Sequence, residues 1–319
     1  MKRRLLITFL LGCLLPFAVQ AQHGTFRFAQ ITDIHFSPNN PNPTEDLLRS
    51  VAQINAIDSI DFVLVTGDIT EEGDRATMLK VKETLDLLKA KYYVILGNHE
   101  TKWSDSGCTA FGEIFGGERF EFEHKGILFL GFNSGPLMRM AYGHVVPQDI
   151  RWMTEEMDKF GKDKPVILVT HYPLLDGDVD NWYEVTDAVR PYNIRLFIGG
   201  HYHRNRDLRY DGIPGILMRS NLRDKDGKPG YGIYDITKDS ILVYTQRIGE
   251  PKKQWAAFSL TQPYYDRNGK AEKYPDFSVN TEYPNVKEQW VMQTGAGIYC
   301  SPCLLYTSDA ADDLIGVDL

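Results

Sequence analysis

Residues 61–68 read Asp-Phe-Val-Leu-Val-Thr-Gly-Asp, an apolar run that ends in a glycine and a carboxylate. The β-branched and aromatic side chains of residues 62–66 are typical of a buried strand. Gly67 lets the backbone turn where the strand ends, and Asp68 places a carboxylate there. Four other segments have the same form, and we predict their strands at residues 26–32, 92–96, 166–170 and 194–198.

Helical patterns separate the first predicted strands. Residues 46–55 place Leu47, Val51 and Ile54 on one stripe, and residues 75–90 carry a similar stripe. Strands that alternate with helices form a largely parallel sheet, whose ligand sites lie beyond the carboxyl ends of the strands. We therefore predict an α/β fold in which five polar clusters lie at those ends.

The spacing of the polar residues indicates which of them face one site. Residues two apart in an extended chain point to the same side, so Asp33 can face the same site as His35, and His201 the same site as His203. A single polar residue at a strand end is more often part of an ordinary turn than a ligand. Five such clusters on five successive strands favour a shared site.

The donor types indicate metal chemistry. Asn98 and His99 are neighbours, which point to opposite sides of an extended chain, so we assign Asn98 to metal and His99 to the substrate. Imidazole, carboxylate and amide donors together suit first-row metals such as Mn, Fe or Zn. Seven donors are too many for one tetrahedral ion and predict two divalent or trivalent ions that share Asp68. The predicted ligands are Asp33, His35, Asp68, Asn98, His171, His201 and His203.

The order of these clusters over residues 26–205 resembles that of the calcineurin-like metallophosphoesterase superfamily. The resemblance implies a four-layer αββα sandwich with two mixed β-sheets. Our mechanistic hypothesis is that a hydroxide bridging the two metals attacks the phosphorus of a phosphoester. His99 would donate a proton to the leaving alkoxide or stabilise developing charge, oriented by Glu100 or by a backbone carbonyl. The resemblance further implies a division of the ligands. One metal would be held by Asp33, His35, Asp68 and His203, and the other by Asp68, Asn98, His171 and His201.

Two departures narrow the resemblance to the branch that is similar to cyclic-nucleotide phosphodiesterases. Glu71 stands where purple acid phosphatases have a metal-binding tyrosine, and Thr101-Lys102 replaces the Phe-Asp of bacterial nucleotidases. The expected partner is a small phosphoester, either a monoester or a diester. Loops 102–120, 134–147 and 174–184 are expected to shape specificity. Candidate residues there are Trp103, Arg139, Tyr142, Asp176, Asp178 and Trp182.

The amino terminus predicts export. Residues 1–21 combine a basic start, an apolar run and small residues before a cleavage point, as in a secretory signal peptide. A lipoprotein with Cys13 as the attachment point is the second choice. Removal of Lys2, Arg3 and Arg4 changes the formal charge from −8 to −11, which argues against binding of duplex nucleic acid. We expect a secreted or periplasmic protein without a transmembrane segment in its mature form.

The rest of the chain is predicted to consist of four segments. We predict a catalytic domain over residues 22–250 and a linker or packed extension over 251–289. Residues 290–303 resemble the start of a β-propeller repeat of the pyrroloquinoline-quinone type, and residues 304–319 resemble a translated sequencing adaptor. These features leave an alternative function, a catalytically weak binding or sensory module that presents a propeller.

Overall fold

A computed structural model describes residues 23–136, 141–271 and 274–282 of the chain. Its six α-helices are α1 Pro41–Ala56, α2 Arg75–Leu85, α3 Asn98–Lys102, α4 Thr109–Phe115, α5 Pro147–Phe160 and α6 Trp182–Val189. Its strands are β1 Phe26–Ile31, β2 Phe62–Thr66, β3 Lys91–Ile95, β4 Phe120–His124, β5 Ile127–Gly131, β6 Pro165–Val169, β7 Asn193–Gly199, β8 Arg206–Tyr210, β9 Ile213–Leu217, β10 Gly230–Ile236, β11 Ser240–Arg247 and β12 Lys253–Ser259. A 3₁₀ helix follows at Ser278–Thr281.

The strands form two mixed sheets of six strands each. The first sheet has the order β12-β11-β10-β1-β2-β3, and the second has the order β4-β5-β6-β7-β9-β8. Strands β1, β2 and β3 run parallel to one another, as do β5, β6, β7 and β9. Antiparallel strands complete both sheets. The carboxyl ends of the predicted strands therefore lie together within each sheet.

Three apolar clusters define the layers. Phe28 and Phe62 of the first sheet pack with Phe129 of the second, so one cluster fills the space between the sheets. A second cluster joins the outer face of the first sheet to α1 and α2, and a third joins the second sheet to α5 and α6. The result is the predicted α/β sandwich of four layers, αββα.

The helix boundaries differ from the predicted ones. Helix α1 begins at Pro41 after the cap Asn40, because a proline is well suited to the first turn of a helix. Helix α2 ends at Leu85 rather than at residue 90, with Asp86 as its cap. Leu88, which was predicted to continue its stripe, lies after the turn that follows the helix.

The residues after 250 continue the first sheet. Strand β12 pairs with β11 and completes the first sheet, and beyond it Tyr265 donates a hydrogen bond to the carbonyl of Tyr192. Residues 251–271 are therefore a packed part of the fold rather than a linker. The predicted signal peptide and the predicted propeller and adaptor segments lie outside the described residues. No helix in the described part has the length and apolar character needed to cross a membrane.

Candidate metal centre

The polar clusters of both sheets meet at one place, beyond the carboxyl ends of β1, β2, β3, β6 and β7. Backbone hydrogen bonds tie the segments together: the Asp33 amide donates to the Gly67 carbonyl at 3.1 Å, and the Gly200 amide donates to the His171 carbonyl at 3.0 Å. The Asp33 carboxylate accepts a bond of 3.0 Å from the amide of His201 and so joins the two sheets. The structure thus brings together residues that are remote in sequence.

The backbone at these positions is not extended, so the reason given for the paired residues is wrong although the side chains do meet. Five predicted ligands have positive φ angles in the left-handed region, where Asp, Asn and His are tolerated better than most residues. Asn98 and His99 begin the short helix α3 instead of continuing a strand. The five left-handed ligands are Asp33 (φ 51), His35 (φ 52), Asp68 (φ 48), His201 (φ 73) and His203 (φ 56).

Two glycines permit the close approach of these segments. A Cβ atom on Gly97 would lie 2.2 Å from both the backbone nitrogen and a carboxylate oxygen of Asp68. A Cβ atom on Gly200 would lie 2.1 Å from the hydroxyl of Thr32 and 2.6 Å from a carboxylate oxygen of Asp33. Both glycines are therefore required by the site and not only by a turn.

Asp68, His171 and His201 form an inner group, whose donor atoms lie within 4.8 Å of one another. The Nε2 atom of His171 lies 3.2 Å from a carboxylate oxygen of Asp68 and 3.2 Å from the Oδ1 atom of Asn98. The Nδ1 atom of His171 donates to the Thr66 carbonyl at 2.7 Å. This bond directs Nε2 of the buried imidazole into the site.

Charge is concentrated in the inner group. Burial favours the neutral form of Asp68, but the nearby imidazoles, His171 first, outweigh burial and lower the pKa of its carboxyl well below the usual range. Burial likewise opposes a charge on His171, yet Asp68 raises the pKa of that imidazole to about 9. Burial and then the charge of His171 lower the pKa of His201 to about 4. The buried carboxylate therefore requires positive charge beside it.

Asp33, His35 and His203 form an outer group. The Nε2 atoms of His35 and His203 lie 3.0 Å apart, and Nε2 of His203 lies 3.3 Å from a carboxylate oxygen of Asp33. Burial lowers the pKa of His35, whereas the hydrogen bond with Asp33 raises the pKa of His203. The side chain of His203 is 43% exposed, so this group opens to solvent more than the inner group, in which only His201 is partly exposed.

The donors of the two groups fit a pair of metal ions. Ring nitrogens and carboxylate oxygens face a shared space, and Asp68 lies between the groups, 3.9 Å from Nε2 of His35 and 3.2 Å from Nε2 of His171. Mixed imidazole and oxygen donors of this kind suit first-row metals. The seven side chains predicted from the sequence thus form a site with the composition of a dinuclear centre.

His99 lies at the edge of this centre. Its Nε2 atom is 4.0 Å from Asp68, and its Nδ1 atom donates to the backbone carbonyl of Glu71. Of the two partners expected to orient His99, the backbone carbonyl makes the contact, whereas Glu100 is bonded to other groups. Glu100 is buried and accepts hydrogen bonds from the amides of Thr70 and Gly97, so it holds the loop in place. Burial and the charge of Asp68 raise the pKa of Glu100 to about 7.

Two cavities meet at His99. The metal cavity, of about 550 Å³, contains the centre and reaches Ser37, Asn40 and Leu222. The Trp103 cavity, of about 720 Å³, is lined by Trp103 and several carboxylates. The two cavities share the lining residues Glu71, Asn98 and His99.

The other specificity candidates have different environments. Trp182 is only 7% exposed and belongs to the apolar core, so it does not line the site. Asp178 accepts a hydrogen bond of 2.6 Å from the hydroxyl of Tyr202, which lies between two predicted ligands in sequence. Tyr172 packs against the imidazole of His201, with ring centroids 3.9 Å apart. The sequence analysis missed this tyrosine although it directly follows the predicted ligand His171, because its contact with His201 joins two separate segments. Arg139 lies outside the described residues.

Residues 26–205, more than half of the chain, match the family described as calcineurin-like phosphoesterases. The chain belongs to this family. A probable glycerophosphodiester phosphodiesterase of Arcobacter nitrofigilis is 26% identical to this calcineurin-like phosphoesterase over 279 residues, 75% of this chain and 97% of that protein. A 3′,5′-cyclic-nucleotide phosphodiesterase of Nostoc sp. is 23% identical over 212 residues, 60% of this chain and 78% of that protein.

One further sequence relative and one solved structure are also similar to this calcineurin-like phosphoesterase. The uncharacterized protein YvnB of Bacillus subtilis is 26% identical over 77% of this chain, which spans only 20% of that protein. The crystal structure of a dimetal phosphatase from Danio rerio has the same fold, with a TM-score of 0.56 at 15% identity over 72% of this chain and 98% of that one. Family, relatives and donor set together identify a metal-dependent phosphoesterase.

Proposed function

We propose that this phosphoesterase hydrolyses a small phosphodiester. The observation that carries the proposal is the meeting of two cavities at the centre, which gives room for a substituent on each side of the phosphorus. A monoester needs only one of them. The names of the relatives from Arcobacter and Nostoc, a glycerophosphodiester and a cyclic-nucleotide phosphodiesterase, support a diester as the substrate.

Each ligand has a proposed place. Asp33, His35, Asp68 and His203 hold one ion, and Asp68, Asn98, His171 and His201 hold the other, with Mn, Fe or Zn as the metals. A bound pair of this kind would supply a bridging hydroxide nucleophile near neutral pH and neutralise charge on the phosphoryl oxygens. The protein contributes the fixed orientation of the donors and a buried carboxylate between them.

His99 is the proposed general acid. The bond from its Nδ1 atom to the Glu71 carbonyl fixes the tautomer and leaves Nε2 to face the cavities. This side chain is 20% exposed, so it can contact a substrate at the junction of the two cavities. There, in its imidazolium form, it would donate the Nε2 proton to the leaving alkoxide and return to the neutral tautomer that Glu71 holds, a role that contributes about 10² to 10⁴ in rate.

The direct test uses bis-p-nitrophenyl phosphate and p-nitrophenyl phosphate with added manganese. We expect kcat/KM to be higher for the diester, and we expect chelation to abolish turnover. His99→Ala should lower kcat about 100-fold without loss of metal. His124→Ala is the matched control, because His124 pairs with Asp61 at the opposite ends of the strands. Absence of metal-dependent turnover would favour the alternative of a binding or sensory module.

We also propose that the protein is exported, on the basis of the signal-like residues 1–21. Expression of the full chain in a bacterium, followed by fractionation and amino-terminal sequencing of the recovered protein, tests this proposal. A new amino terminus at Gln22 in the periplasmic fraction is expected. Membrane-bound protein that carries a lipid on Cys13 would instead support the lipoprotein alternative, and uncleaved cytoplasmic protein would contradict both.

A further inference from the structure

We infer that Glu71 is a positioning residue, which orients His35 for metal binding in the outer group. The inference rests on the proposed role of His35 as a ligand. A carboxylate oxygen of Glu71 lies 3.0 Å from the Nδ1 atom of His35. When Nδ1 donates to this carboxylate, the neutral imidazole carries its lone pair on Nε2, which faces His203 and Asp68.

The backbone holds Glu71 beside His35 independently of its side chain. The Glu71 amide donates to the Phe36 carbonyl at 2.9 Å, and the His35 amide donates to the Asp68 carbonyl at 3.0 Å. These bonds run between the segment after β1 and the segment after β2 and form a short ladder. Replacing the side chain of Glu71 therefore removes the contact with His35 and leaves the position of the chain unchanged.

Three imidazoles at the centre, those of His35, His99 and His171, have a hydrogen-bond partner at Nδ1. Of these three partners, only the one beside His35 is a side chain. His171 donates to the carbonyl of Thr66, and His99 donates to the carbonyl of Glu71. Backbone carbonyls cannot be substituted and carry no net charge. The carboxylate that holds His35 also makes this imidazole a stronger ligand, an effect whose loss costs about 10- to 100-fold in metal affinity.

The solvent exposure of His35 and Glu71 determines how much metal affinity the loss of their contact should cost. The side chain of His35 is 9% exposed, but that of Glu71 is 49% exposed. Water therefore screens the carboxylate and can partly replace it, so we expect values near the lower limit of that range. We also expect the inner group to be unaffected, because its His171 is held by a carbonyl.

The test is a manganese titration of metal-free full-length protein, with wild type, Glu71→Gln and Glu71→Ala compared by calorimetry. Glu71→Gln keeps an acceptor without the charge, and Glu71→Ala removes both. We expect the dissociation constant of one ion to rise about threefold to tenfold in Glu71→Gln and about tenfold or more in Glu71→Ala, with the other ion unchanged.

Glu83→Gln controls for the loss of one negative charge, since Glu83 is exposed on α2. Wild-type affinity for both ions in Glu71→Ala would overturn the inference, and so would an equal loss of both ions, which would indicate a general structural role. The melting temperature of each variant shows whether it folds. If Glu71→Ala does not fold, Glu71→Gln alone is compared with wild type, and the same two outcomes would overturn the inference. A wild-type protein that binds no manganese would contradict the proposed function itself.

Discussion

The inner and outer ligand groups use the same residue types but are held in different ways. The inner group is the more buried of the two, with only His201 partly exposed, and its His171 is fixed by the Thr66 carbonyl at the end of β2. The outer group contains the half-exposed His203 and relies on the side chain of Glu71 to fix His35. Burial and backbone support favour a tightly held inner ion, whereas the outer ion should exchange more readily.

The largest effect is expected from Asp68→Asn. Asp68 is the buried carboxylate between the two groups, and its loss removes the charge that both ions share. We expect both ions to be lost and kcat/KM to fall by about 10³ or more, since a metal supplies several kcal/mol of transition-state stabilisation. Metal analysis of the purified variant and its activity on bis-p-nitrophenyl phosphate check this. Full activity would refute the dinuclear centre.

A steric change tests whether the position of Asp68 matters as much as its charge. Gly97→Ala places a methyl group 2.2 Å from the backbone nitrogen of Asp68, so the carboxylate must move. A displacement of this kind is expected to lower kcat/KM about 100-fold. Gly112→Ala in α4 is the control, because a Cβ atom there meets nothing within 4 Å. Equal activities of the two variants would show that the site tolerates the shift.

His203→Ala should separate the two groups. Its imidazole belongs to the outer group alone, so we expect the outer ion to bind at least about 100-fold more weakly, beyond the 10- to 100-fold cost of losing a residue that only supports a ligand, while the inner ion stays. His171→Ala should instead weaken the inner ion. Calorimetric titrations with manganese give the two affinities for each variant. Loss of both ions from His203→Ala would mean that the groups do not act independently.

The smallest effect concerns stability. An ion present at ten times its dissociation constant stabilises the native state by about 1.4 kcal/mol. We expect the outer ion at that level to raise the melting temperature by about 3 to 6 °C. Thermal unfolding of wild type and His203→Ala at increasing manganese concentrations checks this, and the second rise in melting temperature should be absent from the variant. If His203→Ala still shows both rises in melting temperature, the weaker ion does not bind at the outer group.

The sequence predicted the five strands that end in polar clusters, but neither the other two parallel strands, β5 and β9, nor the antiparallel ones. Buried parallel strands such as β2 and β6 are continuous apolar runs, which are easily recognised. Strands β8 and β12 expose charged residues and have no continuous apolar run, so they are harder to recognise in the sequence. Their assignment depends on pairing with a distant neighbour, which is why β12 was predicted to lie outside the domain.

The sequence alone determined which side chains follow the parallel strands, because strand length and glycine position are local properties. The seven predicted ligands and His99 therefore could be named without a structure. The left-handed backbone at five ligands, the role of Glu71 and the different exposure of the two groups were decided by tertiary structure. These features depend on contacts between segments far apart in the chain, such as the bond between Asp33 and His201 across 168 residues, and local sequence carries no record of them.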